Sequence, residues 1–204
     1  MYKKKPLIIF EGIEGSGKST QIKNIISFLK KKKLKYIKLR EPGGVTTSEK
    51  IRKLILNKKS KFNPLTDLLL YNAARNENVN NVIKKYYKKK IIIIDRFIYS
   101  TIAYQHYGMQ LDLKLINILN KKILKNMKID HIFFHKIRIS TMKKRIKKRN
   151  NNNRYDEFEN NFYKKVQYGY NKIFKKMKNV TTINSEKDLA ENKKEVLNKF
   201  SKLI

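Results

Sequence analysis

The sequence has no cysteine and no tryptophan, and only three prolines and seven glycines among 204 residues. Without cysteine the chain can form neither a disulfide scaffold nor a thiolate-bound metal centre. So little proline and glycine excludes collagen-like and other low-complexity fibrous classes. No apolar run approaches the roughly 20 residues needed to span a bilayer. The segment Met1-Tyr2-Lys3-Lys4-Lys5-Pro6 leads only into the short run Leu7 to Phe10, too brief for a secretory signal. A soluble, cytoplasmic chain without a membrane partner is therefore expected. Acidic side chains are also scarce: 16 Asp and Glu stand against 50 Lys and Arg, a formal net charge of +34. Such a charge attracts polyanions whatever the fold. The basic residues are mostly Lys, spread through the chain beside many Asn and Ile, and these three share A/T-rich codons. We read the excess as genome composition that also draws in anionic nucleotides, and expect no specific nucleic-acid site.

What is present is a βαβα alternation of short apolar runs and longer amphipathic stretches, in a chain sized for one domain over 1–204. Pro6 to Glu11, Tyr36 to Leu39, Ile91 to Ile94, Ile129 to Phe134 and Val180 to Ile183 read as strands. The unbroken Leu-Ile-Ile-Phe and Ile-Ile-Ile-Ile runs suit parallel strands covered on both faces. Helical spacing covers Lys18 to Lys33, with Ile22, Ile25, Ile26 and Leu29 on one face, and Thr47 to Leu56, capped by Thr47 or Ser48. It returns from Pro64-Leu65-Thr66-Asp67, with Leu69, Ala73 and Val82 inward, then over Leu111 to Met127, Ser140 to Lys148 and Phe158 to Met177. A terminal helix from Ser185 to Leu203 is expected, with Ser185 as cap and Asp188 three residues on. Asn150 to Asn153 reads as a surface loop.

Gly12-Ile13-Glu14-Gly15-Ser16-Gly17-Lys18-Ser19 meets the G-x-x-x-x-G-K-[ST] spacing between a strand and a helix. Glycines let backbone N–H groups turn inward as an anion nest, and the helix that follows presents its positive end to phosphate. Lys18 can bridge the β- and γ-phosphates of ATP, and the Ser19 hydroxyl can ligate Mg²⁺. Gly12 to Thr20 are the candidate ATP-binding residues. Asp95 closes an apolar strand, where a carboxylate orients Mg²⁺ or its waters. A structural Asp95–Arg96 ion pair is the alternative reading.

Five segments in order carry a further resemblance: Phe10 to Thr20; Arg40-Glu41-Pro42-Gly43-Gly44; Glu49-Lys50-Ile51-Arg52; Leu70-Tyr71-Asn72-Ala73-Ala74-Arg75; and Asp95-Arg96-Phe97 with Ser100-Thr101-Ile102-Ala103-Tyr104-Gln105. With them the chain resembles the thymidylate kinases, P-loop enzymes that phosphorylate dTMP. The resemblance implies a three-layer α/β P-loop fold, a parallel sheet with helices on both faces and a mobile lid over about 145–158. It also implies dTMP and ATP as substrates, Mg²⁺ as cofactor and a homodimer. Carried over residue by residue, it assigns Arg96 and Arg52 to the acceptor phosphate, Tyr71 to stacking on thymine and Arg75 to a base carbonyl. The usual stacking residue is Phe, so Tyr71 departs from the pattern. Ser100, Thr101 and Gln105 resemble the polar residues near base and sugar, and Glu14 the acid near the deoxyribose 3′-hydroxyl. Glu41 reads as structural or substrate-facing. Gly15 stands where one branch of the family carries a catalytic arginine. The bacterial branch supplies that charge from the lid, where Arg149 and Arg154 are the candidates and Arg145 and Lys147 lie nearby. Lys18, Arg96, Arg149 and Arg154 form the expected catalytic set, with Ser19 and Asp95 at the metal. His106, His131 and His135 lack ligand spacing and read as structural or surface residues. A kinase for another monophosphate, a nucleic-acid-stimulated ATPase and a binding-only homologue are the alternatives.

Overall fold

A computed structural model of the chain describes residues 5–148 and 153–204. Five strands, β1 (Leu7–Glu11), β2 (Tyr36–Arg40), β3 (Ile91–Asp95), β4 (His131–Lys136) and β5 (Val180–Asn184), pair in parallel in the order β2-β3-β1-β4-β5. Side chains alternate across a strand, so each apolar run supplies both faces of the sheet. Leu7, Ile9, Ile92, Ile94, Ile132 and Phe134 pack on one side, and Ile8, Phe10, Ile91, Ile93 and Phe133 on the other. Each such fully buried side chain contributes about 1.5–3 kcal/mol relative to exposure.

The second side is covered by α1 (Lys18–Lys31) and α9 (Leu189–Ser201), through Ile22, Ile25, Leu29, Val196 and Phe200. The first is covered by α2 (Thr46–Leu56), α3 (Pro64–Asn78), α6 (Leu113–Leu124), α7 (Ile139–Lys147) and α8 (Asn160–Phe174). This is the expected three-layer architecture. The chain leaves β1 toward β2 and later crosses from β3 to β4 on the far side of β1. That reversal opens a crevice at the carboxyl ends of the central strands.

Local readings differ in four places. Thr47 and Ser48 do not cap α2, which Val45 precedes without a side-chain cap; Ser48 donates to the Ala74 carbonyl and Thr47 to Glu77, tying α2 to α3. Asp188, not Ser185, caps the last helix by accepting from the Ala190 N–H. On α3 the apolar inward face is Leu68 and Ala74, continued by Val79 and Ile83, whereas Leu69 and Ala73 are exposed and Val82 is half-buried. The inward stripe is shared with Asp67, Asn72, Arg75 and Asn78, polar side chains that an apolar-periodicity reading passes over. Finally, α3 runs through a π-helical turn, Val79–Ile83, into α4 (Lys84–Tyr86), and α5 (Ile98–Thr101) continues as the π-helical Ile102–Gly108. Neither π segment has a sequence signature; such segments often sit beside functional sites.

Candidate active site

The turn after β1 passes close under the end of β4. Gly12 has φ +139°, and a Cβ there would lie 2.3 Å from the His135 carbonyl oxygen. Gly17, in the left-handed region at φ +84°, precedes α1 with no side chain capping it, which leaves the first N–H groups of α1 for an anion. Lys18 curls back over the loop, donating to the Gly12 and Ile13 carbonyls at 2.9 Å each. Burial, aided by the Arg96 charge, lowers its ammonium to about 8. Ser19 Oγ donates to Asp95 Oδ2 at 2.9 Å, so the two expected metal ligands meet. Two oxygens on one wall of a phosphate site suit Mg²⁺, which takes few protein ligands and completes its shell with phosphate and water.

Arg96 has a non-glycine φ of +66° and its N–H donates to the Phe10 carbonyl. Nη1 donates to the Gly12 carbonyl at 2.8 Å and Nη2 to Glu14 Oε1 at 2.8 Å, while the guanidinium lies over the Tyr104 ring. Glu14 also accepts from the Tyr104 hydroxyl at 2.5 Å. Burial opposes its charge, but Arg96 and Lys18 outweigh it and hold the carboxyl below the usual range. A carboxylate in a phosphate cradle needs a partner; here Arg96 and Tyr104 serve. The alternative reading, an Asp95–Arg96 ion pair, is not what the structure has: Arg96 pairs with Glu14 and Asp95 accepts from Ser19.

Asp67, Tyr71 and Arg75 share one face of α3 at four-residue spacing. Arg75 is 1% exposed and makes four hydrogen bonds: to Glu41 Oε2 (2.7 Å), Asn120 Oδ1 (3.1 Å), the Phe97 carbonyl (3.1 Å) and Thr101 Oγ1 (2.8 Å). Glu41 is thus held structurally at the rim of the site. Arg52 Nη1 donates to the Pro42 carbonyl at 2.5 Å, which brings the α2 guanidinium to the same loop. Glu11 ends β1 fully buried and accepts from the N–H groups of Phe97 and Ser100, from Ser100 Oγ and from the Tyr170 hydroxyl. That carboxylate fixes the turn carrying Ser100 and Thr101.

A cavity of about 580 Å³ joins these groups. It is lined by Glu14 to Thr20, Glu41, Arg52, Tyr71, Arg75, Asp95, Arg96, Ser100, Thr101 and Gln105. Gly12 and Ile13 lie beneath the lining, with Ile13 in the core. Arg145, noted from the sequence beside the lid candidates, lines it as well, as do Arg40, Tyr104, Asn153 and Tyr155, which had no site role in the sequence reading. Arg145, from α7, donates to the carbonyls of Gly15 (3.0 Å) and Ser185 (2.9 Å). Arg154 is not on the lining: it is ion-paired with Asp67 of α3. Arg149 lies outside the described residues. Tyr104 could have been found from its place in the Ser100 to Gln105 segment, and Asp67 from standing four residues before Tyr71. Glu11 and Tyr170 carry no local signal.

Burial, with the Lys18 charge, pushes the His135 imidazole down to about 3, and its ring stacks on Phe10. Among the described residues no cluster of three or more His, Cys, Asp or Glu could hold a metal, and no helix is long and apolar enough to cross a membrane.

A family model described as thymidylate kinase matches residues 10–196. Thymidylate kinase from Mycoplasma capricolum is 37% identical over 202 residues, covering 97% of this chain and 93% of that protein. The Mesoplasma florum thymidylate kinase is 38% identical over 201 residues, with 95% of each covered. The crystal structure of Ehrlichia chaffeensis thymidylate kinase superposes with a TM-score of 0.77 at 31% identity, over 96% of this chain and 98% of that one.

Proposed function

Since the chain belongs to the thymidylate kinase family, we propose that its cavity is a two-nucleotide site, with ATP on the loop Gly12 to Thr20 and dTMP against α3. The enzyme phosphorylates dTMP, with ATP as the phosphoryl donor. The observation that carries the proposal is the shared lining: Tyr71, Arg75 and Arg96 face the same cavity as Lys18 and Ser19.

In this reading Lys18 exchanges its carbonyl partners for the β- and γ-phosphate oxygens of ATP. Arg96 holds the acceptor phosphate beside the donor; its planar fork suits phosphate, and Arg52 adds a second contact. Tyr71 offers its ring to thymine, Arg75 and Gln105 face the base, and Glu14, Ser100 and Thr101 face the sugar side. Ser19 and Asp95 hold Mg²⁺, which when bound neutralises charge on the donor phosphates. Arg145 reaches the cradle at Gly15, and Arg149 adds charge from the lid segment about 145–158; Arg154 belongs to that segment and, paired with Asp67, holds it in place. The acceptor phosphate is anionic at neutral pH, so transfer needs no general base. Catalysis is positioning plus charge neutralisation in a site that excludes water.

A coupled assay of ADP formation tests the reading. With ATP present, dTMP is expected to be turned over well ahead of dCMP and dGMP, with dUMP as the informative competitor. Equal rates across the panel would remove Tyr71 and Arg75 as the base-reading pair.

A further inference from the structure

Asp67 opens the α3 stripe that continues through Tyr71 and Arg75, yet it does not line the cavity. It is 1% exposed, and its carboxylate faces the segment after α7. Oδ1 pairs with Arg154, and Oδ2 accepts the Tyr155 hydroxyl at 2.5 Å. The carboxylate therefore grips two consecutive side chains of a segment 87 and 88 residues away. Three further contacts hold that segment in register. Asn153 and Asp156 close a reciprocal capping box around the short helical turn Arg154–Glu157. Tyr163 of α8 donates to the Tyr155 carbonyl at 2.5 Å.

The consequence lies at the Tyr155 ring. It meets Tyr71 edge-on with centroids 6.3 Å apart and Tyr104 edge-on at 5.9 Å, and it lines the cavity although only 3% exposed. Tyr155 is thus a wall of the slot in which Tyr71 would stack on the acceptor base. Burial keeps its hydroxyl protonated and able to donate to Asp67. An unpaired buried carboxylate is costly, so the Asp67 contacts are well placed to fix one position of the segment.

We propose that Asp67 is a positioning residue for the acceptor nucleotide: it anchors Tyr155 as one wall of the dTMP slot without touching dTMP itself. The proposal rests on the assignment of this half of the cavity to dTMP. It separates the two substrates, because the Asp67 contacts lie beside Tyr71 whereas the ATP cradle is built from β1, α1 and Arg145.

Binary dissociation constants for dTMP and for ATP, measured by calorimetry on the full chain, test it. Asp67→Asn keeps the shape and removes the charge. It is expected to weaken dTMP about tenfold, the scale of a lost charge-assisted hydrogen bond, and to leave ATP within about twofold. Tyr155→Phe keeps the ring and the Asp67–Arg154 pair, and is expected to weaken dTMP about threefold. The double variant should be no weaker than Asp67→Asn alone, because both remove one contact. Equal losses for the two nucleotides, or a lowered melting temperature with both affinities unchanged, would overturn the proposal. If Asp67→Asn does not fold, Tyr155→Phe decides alone: unchanged dTMP affinity overturns it. Tyr71→Ala separates this failure from that of the underlying assignment. If Tyr71→Ala binds dTMP normally, the acceptor site has been misassigned; if it loses dTMP while Asp67→Asn does not, only the anchoring role falls.

Discussion

At Arg96 the backbone sits at φ +66°, a region costing a non-glycine residue on the order of 1 kcal/mol, and three features hold it there. Its N–H bonds the Phe10 carbonyl, its fork spans Gly12 and Glu14, and the guanidinium covers Tyr104. Burial disfavours the charge, but the Glu14 carboxylate more than restores it. A residue held this way has little orientation to lose when phosphate arrives, which favours a role in the transferring state. Arg96→Ala is therefore expected to lower kcat about 10²- to 10³-fold while the ATP dissociation constant changes less than about threefold. Single-turnover rates together with direct ATP titration read both quantities, and an unchanged kcat would end the assignment. Much of this was legible from the strand ending Asp95-Arg96. The Glu14 and Tyr104 partners were not, because they lie 82 and 8 residues away in sequence and meet Arg96 only across β1 and the α5 extension.

Among the elements, β4 carries two buried imidazoles, His131 and His135, and burial lowers both, to about 4 and about 3. Lys199 adds to the shift at the first and Lys18 at the second. An unfolded histidine titrates near 6.5, so between that value and the folded one the unfolded chain binds more protons. The stability contributed by keeping the ring neutral is complete above about pH 6.5 and is lost as pH falls toward 3. For His135 alone the loss between pH 7.5 and 5.5 is about 1.4 kcal/mol. Urea unfolding at the two pH values measures it, and His135→Asn should flatten the dependence whatever its effect at pH 7.5. A slope the same in the variant would show that the imidazole does not titrate on unfolding. Of the two sequence readings of these histidines, structural or surface, their burial selects the first. On α3, by contrast, the apolar pattern pointed to Leu69 and Ala73, both of which are exposed. The helix turns its polar stripe inward because each member finds a partner there: Arg75 at the cavity, Asp67 with Arg154, Asn78 with the Gly43 carbonyl and Asn72 with the Leu68 carbonyl.

Over the whole molecule the charge is not uniform. Lys5, Lys35, Lys90, Lys128 and Lys178 stand just before the five strands, at the end of the sheet away from the cavity. Lys85 and Lys90 lie over the Tyr86 ring and Lys88 over Tyr87, so basic and aromatic side chains gather at one place there. At the opposite end the cavity lining mixes the carboxylates Glu14, Glu41 and Asp95 with Lys18, Arg40, Arg52, Arg75, Arg96 and Arg145. Of the large exposed apolar side chains among the described residues, Leu54 on α2, Leu65 and Leu69 on α3 and Ile118 on α6 belong to α3 or to helices that pack on it, while Tyr168 on α8 and Leu189 on α9 lie elsewhere. We propose this surface as the seam of a homodimer, which would also brace α3 from outside the acceptor slot. Sedimentation equilibrium is expected to give a dimer for the wild type and a monomer for Ile118→Arg. A monomeric wild type, or a dimer indifferent to the substitution, would place the contact elsewhere or remove it.

The sequence by itself determined the strand positions, the parallel α/β class, the phosphate loop and the segments that line the cavity. The first three depend on periodicity and on short spacings, which survive in one dimension; the cavity segments came through the resemblance to the family. It could not determine what each charged side chain pairs with. Arg154 read as free lid charge and is paired with Asp67; Glu41 read as ambiguous and is locked to Arg75; Glu11 read only as a strand end and Tyr170 only as part of a helix, and the two are bonded to each other. Each of those outcomes is a contact between groups 34 to 159 residues apart. Desolvation makes such pairs decisive for buried charges, and only the packed sheet and its helices fix which partners come within reach.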